Sequence, residues 1–311
     1  MYYERGIKQE QIARSLGVSR SQVSRYLAAS LERGITQIRV IAPDEVDTEL
    51  EAALRERFPR LAEAVVLPSL FTTGPLVRTR VASIGADVLA RLVRRQDTVC
   101  IGAGRTLSQL VSALTPTSRE DVVVVQAMGN AGHEGLDIDY NAIASAAAAA
   151  FGGRAFQVNA PAILGAGYDA KRLEASNQSI ADALGRARRA DIFIVGLGSL
   201  ETDSLYVTTG LLAEEDLAEI AELEPAGDIC GHFYDLDGRP LPTPFSDRLV
   251  GIGLEDLRRA DRVLAVAGGI EKAAAIQGAL TGGYVTHLVT DEAAARTVVM
   301  GTSPRKSAKQ H

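Results

Sequence analysis

The feature that most constrains the fold is a repeated alternation of short apolar runs and longer amphipathic segments, which extends from residue 64 to residue 300. The apolar runs predict strands at 64–67, 98–101, 122–126, 155–158, 192–195, 262–266 and 284–289. The amphipathic segments predict helices at 76–93, 106–114, 140–151, 171–188, 213–223, 272–280 and 292–300. Strands that alternate with helices in this way form a mostly parallel sheet that is covered on both faces. The sequence therefore predicts a doubly wound α/β domain, with a looser excursion at 199–246.

A second pattern precedes this domain at residues 9–27, where the sequence reads QEQIARSLGVSRSQVSRYL. The apolar positions of a first predicted helix are Ile12, Ala13 and Leu16, and those of a second are Val23, Leu27 and Leu31. Gly17 ends the first helix, and Ser19 is placed to cap the second. Two short helices joined by a tight turn that contains glycine are typical of the helix-turn-helix motif.

The second helix of such a motif enters the DNA major groove. The predicted DNA contacts are the polar residues at its start: Ser19, Arg20, Ser21, Gln22, Ser24 and Arg25. Residues 1–40 carry seven cationic and three acidic side chains, which gives this segment a net charge of +4 and the other 271 residues a net charge of −10. A basic segment on an acidic body fits DNA contact at one end of the protein. The charge alone is explained equally well by a solvated helix surface.

These patterns predict a DNA-binding domain at 1–45, an α/β domain with candidate ligand-binding turns at 46–303 and a disordered tail at 304–311. The charged segment 45–58 is predicted to be a helical linker into the second domain, and 35–41 a short strand. Residues 2–6 are too few to form the first helix of a three-helix DNA-binding unit. We therefore expect that helix to be incomplete.

Composition argues against several other classes of protein. The longest apolar run, 142–151, is too short to span a bilayer, and no secretory leader follows Met1. Cys100 and Cys230 are far apart and show no CxxC spacing, so neither a zinc site nor a disulfide framework is indicated, and each is interpreted as a small buried residue. A cytoplasmic protein is expected.

Enzymatic motifs are absent from the sequence. The histidines show no metal-ligand spacing, and neither GxSxG nor HExxH occurs. Asp291 and Glu292 follow a predicted strand, which favours a helix N-cap with a first-turn acid over a catalytic pair. No metal and no cofactor are expected.

The strongest ligand signal is VCIGAGRTLSQLV, where a predicted strand ends in a glycine-rich turn before a helix. The candidate phosphate-binding residues are Gly102, Gly104, Arg105 and Thr106. Glycines let backbone N–H groups approach an anion, and the helix N-terminus adds a partial positive charge. The turn matches neither GxGxxG nor the Walker loop, so a purely structural turn remains the alternative.

A second turn of this kind, AVAGGIEKAAAI, places Gly268, Gly269 and Lys272 after another predicted strand. Only five lysines occur in the chain against 28 arginines, so this position is distinctive. Contact of Lys272 with a phosphate is the favoured interpretation. A surface lysine and a Schiff base with a sugar aldehyde are the alternatives.

Other predicted strand ends carry polar residues that could face the same crevice, because ligands of open α/β sheets gather at the carboxyl ends of the strands. Gln126 and Gly129 lie in QAMGN, and Asp228 lies in GDI, where it could hold a sugar hydroxyl. For each of these residues taken singly, an ordinary turn is the simpler interpretation.

The residues as a whole resemble the SorC family of sugar-responsive bacterial transcriptional regulators. The N-terminal stretch YYERGIKQEQIARSLGVSRSQVSRYLAASLERGI is similar to the family's helix-turn-helix, and the motifs IGAGRTL, QAMGN, NAP, VGLGSL, GDICGHFYDLDG, AGGIEK and VTDEAAA follow in family order. The resemblance implies an effector domain similar to the sugar-phosphate isomerase, deaminase and CoA-transferase fold, and it implies tetramers that bind long operators. It also implies a phosphate loop at Gly102, Gly104, Arg105 and Thr106, an effector-contacting acid at Asp228 and a phosphate- or hydroxyl-binding lysine at Lys272.

The sequence therefore predicts a regulator of a carbohydrate catabolic operon, controlled by a sugar phosphate or polyol phosphate. Its expected partners are double-stranded operator DNA, the effector and further copies of the chain. The rival hypothesis is a sugar-phosphate isomerase or deaminase with an appended helical arm. A third is a scaffold that no longer binds DNA.

Overall fold

The computed structural model describes residues 9–32, 46–68, 74–117, 121–131, 138–200, 212 and 214–301. The chain forms two compact units, Met1–Asp44 and Glu45–His311. The predicted strand at 35–41, the short segment at 2–6 and the predicted tail at 304–311 lie outside the described residues.

The first unit contains two helices, α1 (Gln9–Leu16) and α2 (Arg20–Glu32). Gly17 has a positive φ of 68°, a conformation that glycine adopts without strain, and it ends α1 as predicted. The small core of this unit is made by Ile12, Ala13, Val23, Val18 and Leu27. Leu16 was predicted to share the apolar face of Ile12 and Ala13, but its side chain is 57% exposed. It is the last residue of α1 and lies outside the core of this unit.

The second unit is built on a seven-stranded sheet in which every strand pairing is parallel, in the order β1-β9-β8-β5-β2-β3-β4. The strands are β1 (Glu63–Leu67), β2 (Thr98–Ile101), β3 (Val123–Gln126), β4 (Arg154–Phe156), β5 (Ile192–Gly196), β8 (Val263–Val266) and β9 (His287–Asp291). This confirms the predicted parallel, doubly wound α/β architecture.

Helices cover both faces of the sheet. They are α3 (Thr48–Arg57), α4 (Gly74–Leu92), α5 (Arg105–Ala113), α6 (Tyr140–Phe151), α7 (Ala170–Ser176), α8 (Gln178–Arg188), α9 (Glu214–Glu222), α10 (Leu254–Arg259), α11 (Ala273–Thr281) and α12 (Glu292–Met300). Side chains of a strand alternate between the two faces. In β5, Ile192 and Ile194 belong to the core on the face covered by α4, α5 and α6, whereas Phe193 and Val195 belong to the core on the opposite face, with residues of α11 and α12. The central strands β5 and β8 carry no polar side chain because both of their faces are buried.

A two-stranded antiparallel hairpin, β6 (Gly227–Ile229) and β7 (His232–Tyr234), lies within the predicted excursion. The amide of Gly198 donates to the carbonyl of Asp228 at 2.9 Å, and the amide of Asp228 donates back to Gly198 at 3.2 Å. These bonds attach the hairpin to the residues that follow β5.

Three predicted elements differ from the structure. The helix predicted at 171–188 is two helices, because Asn177 leaves the helical conformation and its side chain caps α8 by accepting from the amide of Ile180 at 3.2 Å. The strand predicted at 284–289 begins only at His287. The run at 284–286 is apolar because Tyr284 and Val285 belong to the core. The strand predicted at 155–158 ends at Phe156.

Candidate functional site

The helix-turn-helix unit holds the start of α2 with a reciprocal cap. The hydroxyl of Ser19 accepts from the amide of Gln22 at 3.2 Å, and the side-chain oxygen of Gln22 accepts from the amide of Ser19 at 3.1 Å. This capping box satisfies backbone donors at the start of the helix. It also fixes the first turn, whose remaining predicted DNA contacts are exposed: Arg20, Ser21, Ser24 and Arg25. Tyr26, which was not predicted, is 59% exposed beside them.

The second unit contains a cavity of about 140 Å³ at the carboxyl ends of the strands. Its polar wall is supplied by Gly104, Arg105 and Thr106 after β2, by Ser199 after β5, by Asp228 of the hairpin, and by Gly268, Glu271 and Lys272 after β8. β2, β5 and β8 are neighbours in the sheet although they are far apart in sequence. The strand order therefore brings most of the predicted effector residues into one site.

The turn after β2 delivers the start of α5 to the cavity. Gly104 caps α5 with a positive φ of 138°, a conformation that L side chains rarely adopt. The first amides of a helix have no carbonyl partner within the helix, and they carry a partial positive charge. The side chains of Arg105 and Thr106 line the cavity at the same point. This arrangement has the geometry of an anion site.

Lys272 extends from the turn after β8 to the turn after β5, where its ammonium donates to the hydroxyl of Ser199 at 2.9 Å. Asp228 is 4% exposed, and its Oδ2 accepts from the amide of Gly231 at 3.1 Å. A Cβ at Gly198 would overlap the Asp228 carboxylate. The glycine in GLGS therefore makes room for the acid that the sequence pattern singled out.

Four predicted residues lie outside the cavity wall, and their hydrogen bonds explain why. The amides of Gly102, Gly129 and Gly269 donate to Ile194 (2.9 Å), Val250 (2.9 Å) and the carboxylate of Asp291 (2.6 Å). The side chain of Gln126 is 2% exposed and bonds to Asn141, Asn130 and the amide of Val158. These hydrogen bonds hold the loops that surround the cavity.

The structure adds cavity residues that sequence reasoning missed, above all Arg78 of α4, Tyr140 of α6, Cys230 and Glu271. Glu271 adjoins Lys272 and could have been noticed, but no sequence signal points to Arg78 or Tyr140, which lie on helices.

Burial raises the pKa of Tyr140, and it raises the pKa of Cys230 to about 12 with a further contribution from Asp228. Both groups are uncharged near neutral pH.

Asp291 adopts the N-cap role that its position predicted. Its Oδ2 accepts from the amide of Ala293 at 3.2 Å at the start of α12, and its Oδ1 accepts from the amide of Gly269.

Among the described residues, no group of His, Cys, Asp or Glu side chains could hold a metal ion. In the same part of the chain, no helix is long and apolar enough to cross a membrane.

A helix-turn-helix unit on the same chain as an α/β unit with a polar cavity at its strand ends defines a ligand-controlled DNA-binding protein. Residues 43–300 match the family described as "Putative sugar-binding domain", and residues 1–39 match the homeodomain-like domain. The chain belongs to the SorC family of sugar-binding transcriptional regulators.

Individual relatives agree with this assignment. The chain is 31% identical to the deoxyribonucleoside regulator of Bacillus subtilis, over 96% of this chain and 95% of that protein. It is 30% identical to the sorbitol operon regulator of Klebsiella pneumoniae, over 96% of this chain and 95% of that protein. The crystal structure of full-length SorC from Klebsiella pneumoniae superposes with a TM-score of 0.76 at 29% identity, over 96% of this chain and 95% of that chain. These relatives are named as regulators, which favours transcriptional regulation over the isomerase or deaminase alternative.

Proposed function

We propose that this regulator controls a carbohydrate catabolic operon and that its effector is a phosphorylated monosaccharide or polyol. The observation that carries the proposal is the meeting of Arg105 and Thr106, at the start of α5, with Lys272 and Asp228 in one cavity. The helix start, the guanidinium and the ammonium suit a phosphate. The Asp228 carboxylate suits sugar hydroxyls, which donate hydrogen bonds to it.

The size of the cavity supports a small effector. Its volume of about 140 Å³ is well below the range of roughly 300–1,000 Å³ that is usual for drug-sized ligands. A single monosaccharide or a short polyol fits this scale better than a disaccharide or a nucleotide. One relative is named as a sorbitol operon regulator, and sorbitol is a polyol of this size class.

For DNA binding, we propose that α2 and its cap contact operator DNA through these residues: Ser19, Arg20, Ser21, Gln22, Ser24 and Arg25. We further propose that the protein acts in the cytoplasm as a tetramer and that the effector changes how subunits pair. A ligand can do this only through its differential affinity for the two assemblies, typically about 1–3 kcal/mol.

The effector proposal is tested by a thermal-shift screen of sugar monophosphates against the same sugars and polyols without phosphate. At 100 times its Kd, a ligand stabilises the folded protein by about 2.7 kcal/mol. We expect stabilisation by one or more phosphorylated compounds and much less by their unphosphorylated partners. Equal stabilisation by both members of each pair would refute the role of the phosphate. Incubation with the same sugar phosphates should yield no product.

The DNA-binding proposal is tested with the Arg25→Ala variant. Its affinity for operator DNA is measured by gel shift, and its affinity for the effector is measured by calorimetry. Operator affinity should fall while effector affinity stays unchanged. Arg154→Ala is the matched control, since Arg154 is an exposed arginine of the second unit. Equal loss of both affinities in Arg25→Ala would contradict the division of labour between the two units.

A further inference from the structure

Glu271 lies in the cavity wall, and its carboxylate is next to two glycines, Gly269 and Gly74. The φ of Gly269 is 102°, and a Cβ at this position would overlap the Glu271 carboxylate. The side chain of Glu271 therefore lies directly over the backbone of Gly269. A Cβ at Gly74, the first residue of α4, would lie 3.6 Å from Oε1 of Glu271. The carboxylate is therefore placed between the turn after β8 and the start of α4. Gly269, which the sequence pattern singled out as a ligand contact, also leaves the space that the Glu271 carboxylate occupies.

Glu271 and Lys272 are adjacent in sequence but extend in different directions. The ammonium of Lys272 reaches Ser199, after β5, whereas the carboxylate of Glu271 lies by α4. Both residues line the cavity. The wall thus has a cation on the side of β5 and an acid on the side of α4.

The α4 side also carries a cation. Arg78 lines the cavity and lies four residues after Gly74, so the two residues are on the same face of α4. By itself, a guanidinium there would attract a second phosphate on an effector whose first phosphate is bound at the start of α5. The Glu271 carboxylate in the same wall opposes that attraction.

We propose that Glu271 is a specificity-determining residue that excludes a second phosphate and restricts the effector to monophosphates. This inference rests on the proposed function, because it assumes that one phosphate binds near Arg105 and Lys272. A binding site discriminates between ligands by repulsive groups as well as attractive ones. A carboxylate that faces a phosphate in a partly desolvated cavity is such a group.

The experiment uses calorimetry on the full chain with two ligand pairs: fructose 6-phosphate with fructose 1,6-bisphosphate, and ribose 5-phosphate with ribulose 1,5-bisphosphate. In the pair whose monophosphate binds, the wild-type protein should prefer the monophosphate by at least about tenfold, since like charges in contact are strongly disfavoured. Glu271→Gln removes the charge but keeps the shape, and it should reduce that preference to about threefold or less. Glu271→Asp keeps the charge and should retain most of the preference.

Glu219→Gln is the control, because Glu219 is an exposed acid of α9 that does not line the cavity. It should leave the preference unchanged. If Glu271→Gln weakens both ligands equally, Glu271 binds a hydroxyl and the exclusion role is refuted. An unchanged preference in Glu271→Gln refutes it as well, while the proposed function stands because the monophosphate still binds. If neither monophosphate nor bisphosphate binds the wild-type protein, the proposed function fails for these sugars and the inference falls with it.

Discussion

The two ends of the parallel sheet both carry charged side chains, but they use them differently. At the amino ends, Arg262 precedes β8 and Asp97 precedes β2, and the two side chains form a bidentate ion pair with N–O distances of 2.9 and 3.0 Å. The guanidinium also donates to the carbonyl of Leu92 at 2.9 Å. At the carboxyl ends, Arg105 and Lys272 open onto a cavity.

We infer that charged residues at the amino ends of the sheet stabilise the fold, whereas those at the carboxyl ends bind the proposed effector. At the amino ends, Asp97 is buried, and its carboxylate accepts from the Arg262 guanidinium and from the amide of Arg94, so removing Arg262 leaves a buried charge without its ion-pair partner. At the carboxyl ends, the turns after β2, β5 and β8 line a cavity, which is where ligands of open α/β sheets bind. Mutations at the two ends should therefore separate into losses of stability and losses of affinity.

The largest effect is expected for Arg262→Ala, which leaves the Asp97 carboxylate buried without its partner. The free energy of unfolding should fall by about 3–5 kcal/mol, as measured by urea denaturation. Arg239→Ala is the control, because the pair of Arg239 with Asp237 is largely exposed and should contribute at most about 1 kcal/mol. A loss for Arg262→Ala no larger than for the control would show that the amino-end pair is dispensable.

The next effect is expected for Lys272→Met, at the other end of the sheet. Effector affinity should fall by about 10- to 100-fold, because a hydrogen bond to a charged group contributes about 1.5–3 kcal/mol. The free energy of unfolding without effector should change little. Lys171→Met, on the exposed start of α7, is the matched control and should not alter affinity. Calorimetry and urea denaturation on the same samples would reveal whether this end also carries stability.

A smaller effect is expected for Ser199→Ala, which removes the hydroxyl that accepts from the Lys272 ammonium. Effector affinity should fall by about two- to tenfold, in line with about 0.5–1.5 kcal/mol for one hydrogen bond. In the double variant with Lys272→Met, the two losses should not add, because both act through the same ammonium. Full additivity would mean that Ser199 acts independently of Lys272.

The smallest effect concerns His287, the first residue of β9, at the amino end. Burial lowers the pKa of His287 from its ordinary value of 6.5, and Arg91 and Arg262 lower it further while Glu63 opposes them. The folded state therefore binds this proton more weakly than the unfolded state does. The free energy of unfolding should decrease as the pH falls below about 6.5.

Urea denaturation at several pH values would measure this slope in the wild type and in His287→Gln. The slope should be shallower in the variant but not zero, because burial also lowers the pKa of His232. A slope that is identical in both proteins would contradict a contribution from His287. Effector affinity should not follow this titration, since neither histidine lines the cavity.

Much of the fold and part of the site could be predicted from local patterns. Apolar runs bounded by turns identified all seven strands of the sheet, and the helix-turn-helix and its serine cap were predicted from spacing alone. The errors arose where a local cap or a tertiary contact outweighed the hydrophobic periodicity. Asn177 divides a helix that periodicity treats as continuous, and Tyr284 is apolar because it packs in the core and not because it belongs to a strand.

Within the site, the sequence identified glycine-rich turns but not what each glycine does. Gly104 starts a helix at the cavity, whereas Gly269 makes room for Glu271 and donates its amide to Asp291. The sequence does not distinguish these two residues, because each is a glycine that follows a predicted strand. Arg78 could not be predicted, because only the packing of α4 on the sheet brings that helix to the cavity.

The sequence by itself determined the class of fold, the helix-turn-helix with its candidate DNA-contacting helix, and the positions of the candidate phosphate turn and lysine. These follow from periodicity, caps and turns, which act over a few neighbouring residues. Only the tertiary structure decided that the turns after β2, β5 and β8 meet in one cavity, with Ser199 on Lys272 and Glu271 turned towards α4. The physical reason is that strand order depends on how distant segments pack, and local periodicity carries no information about that order.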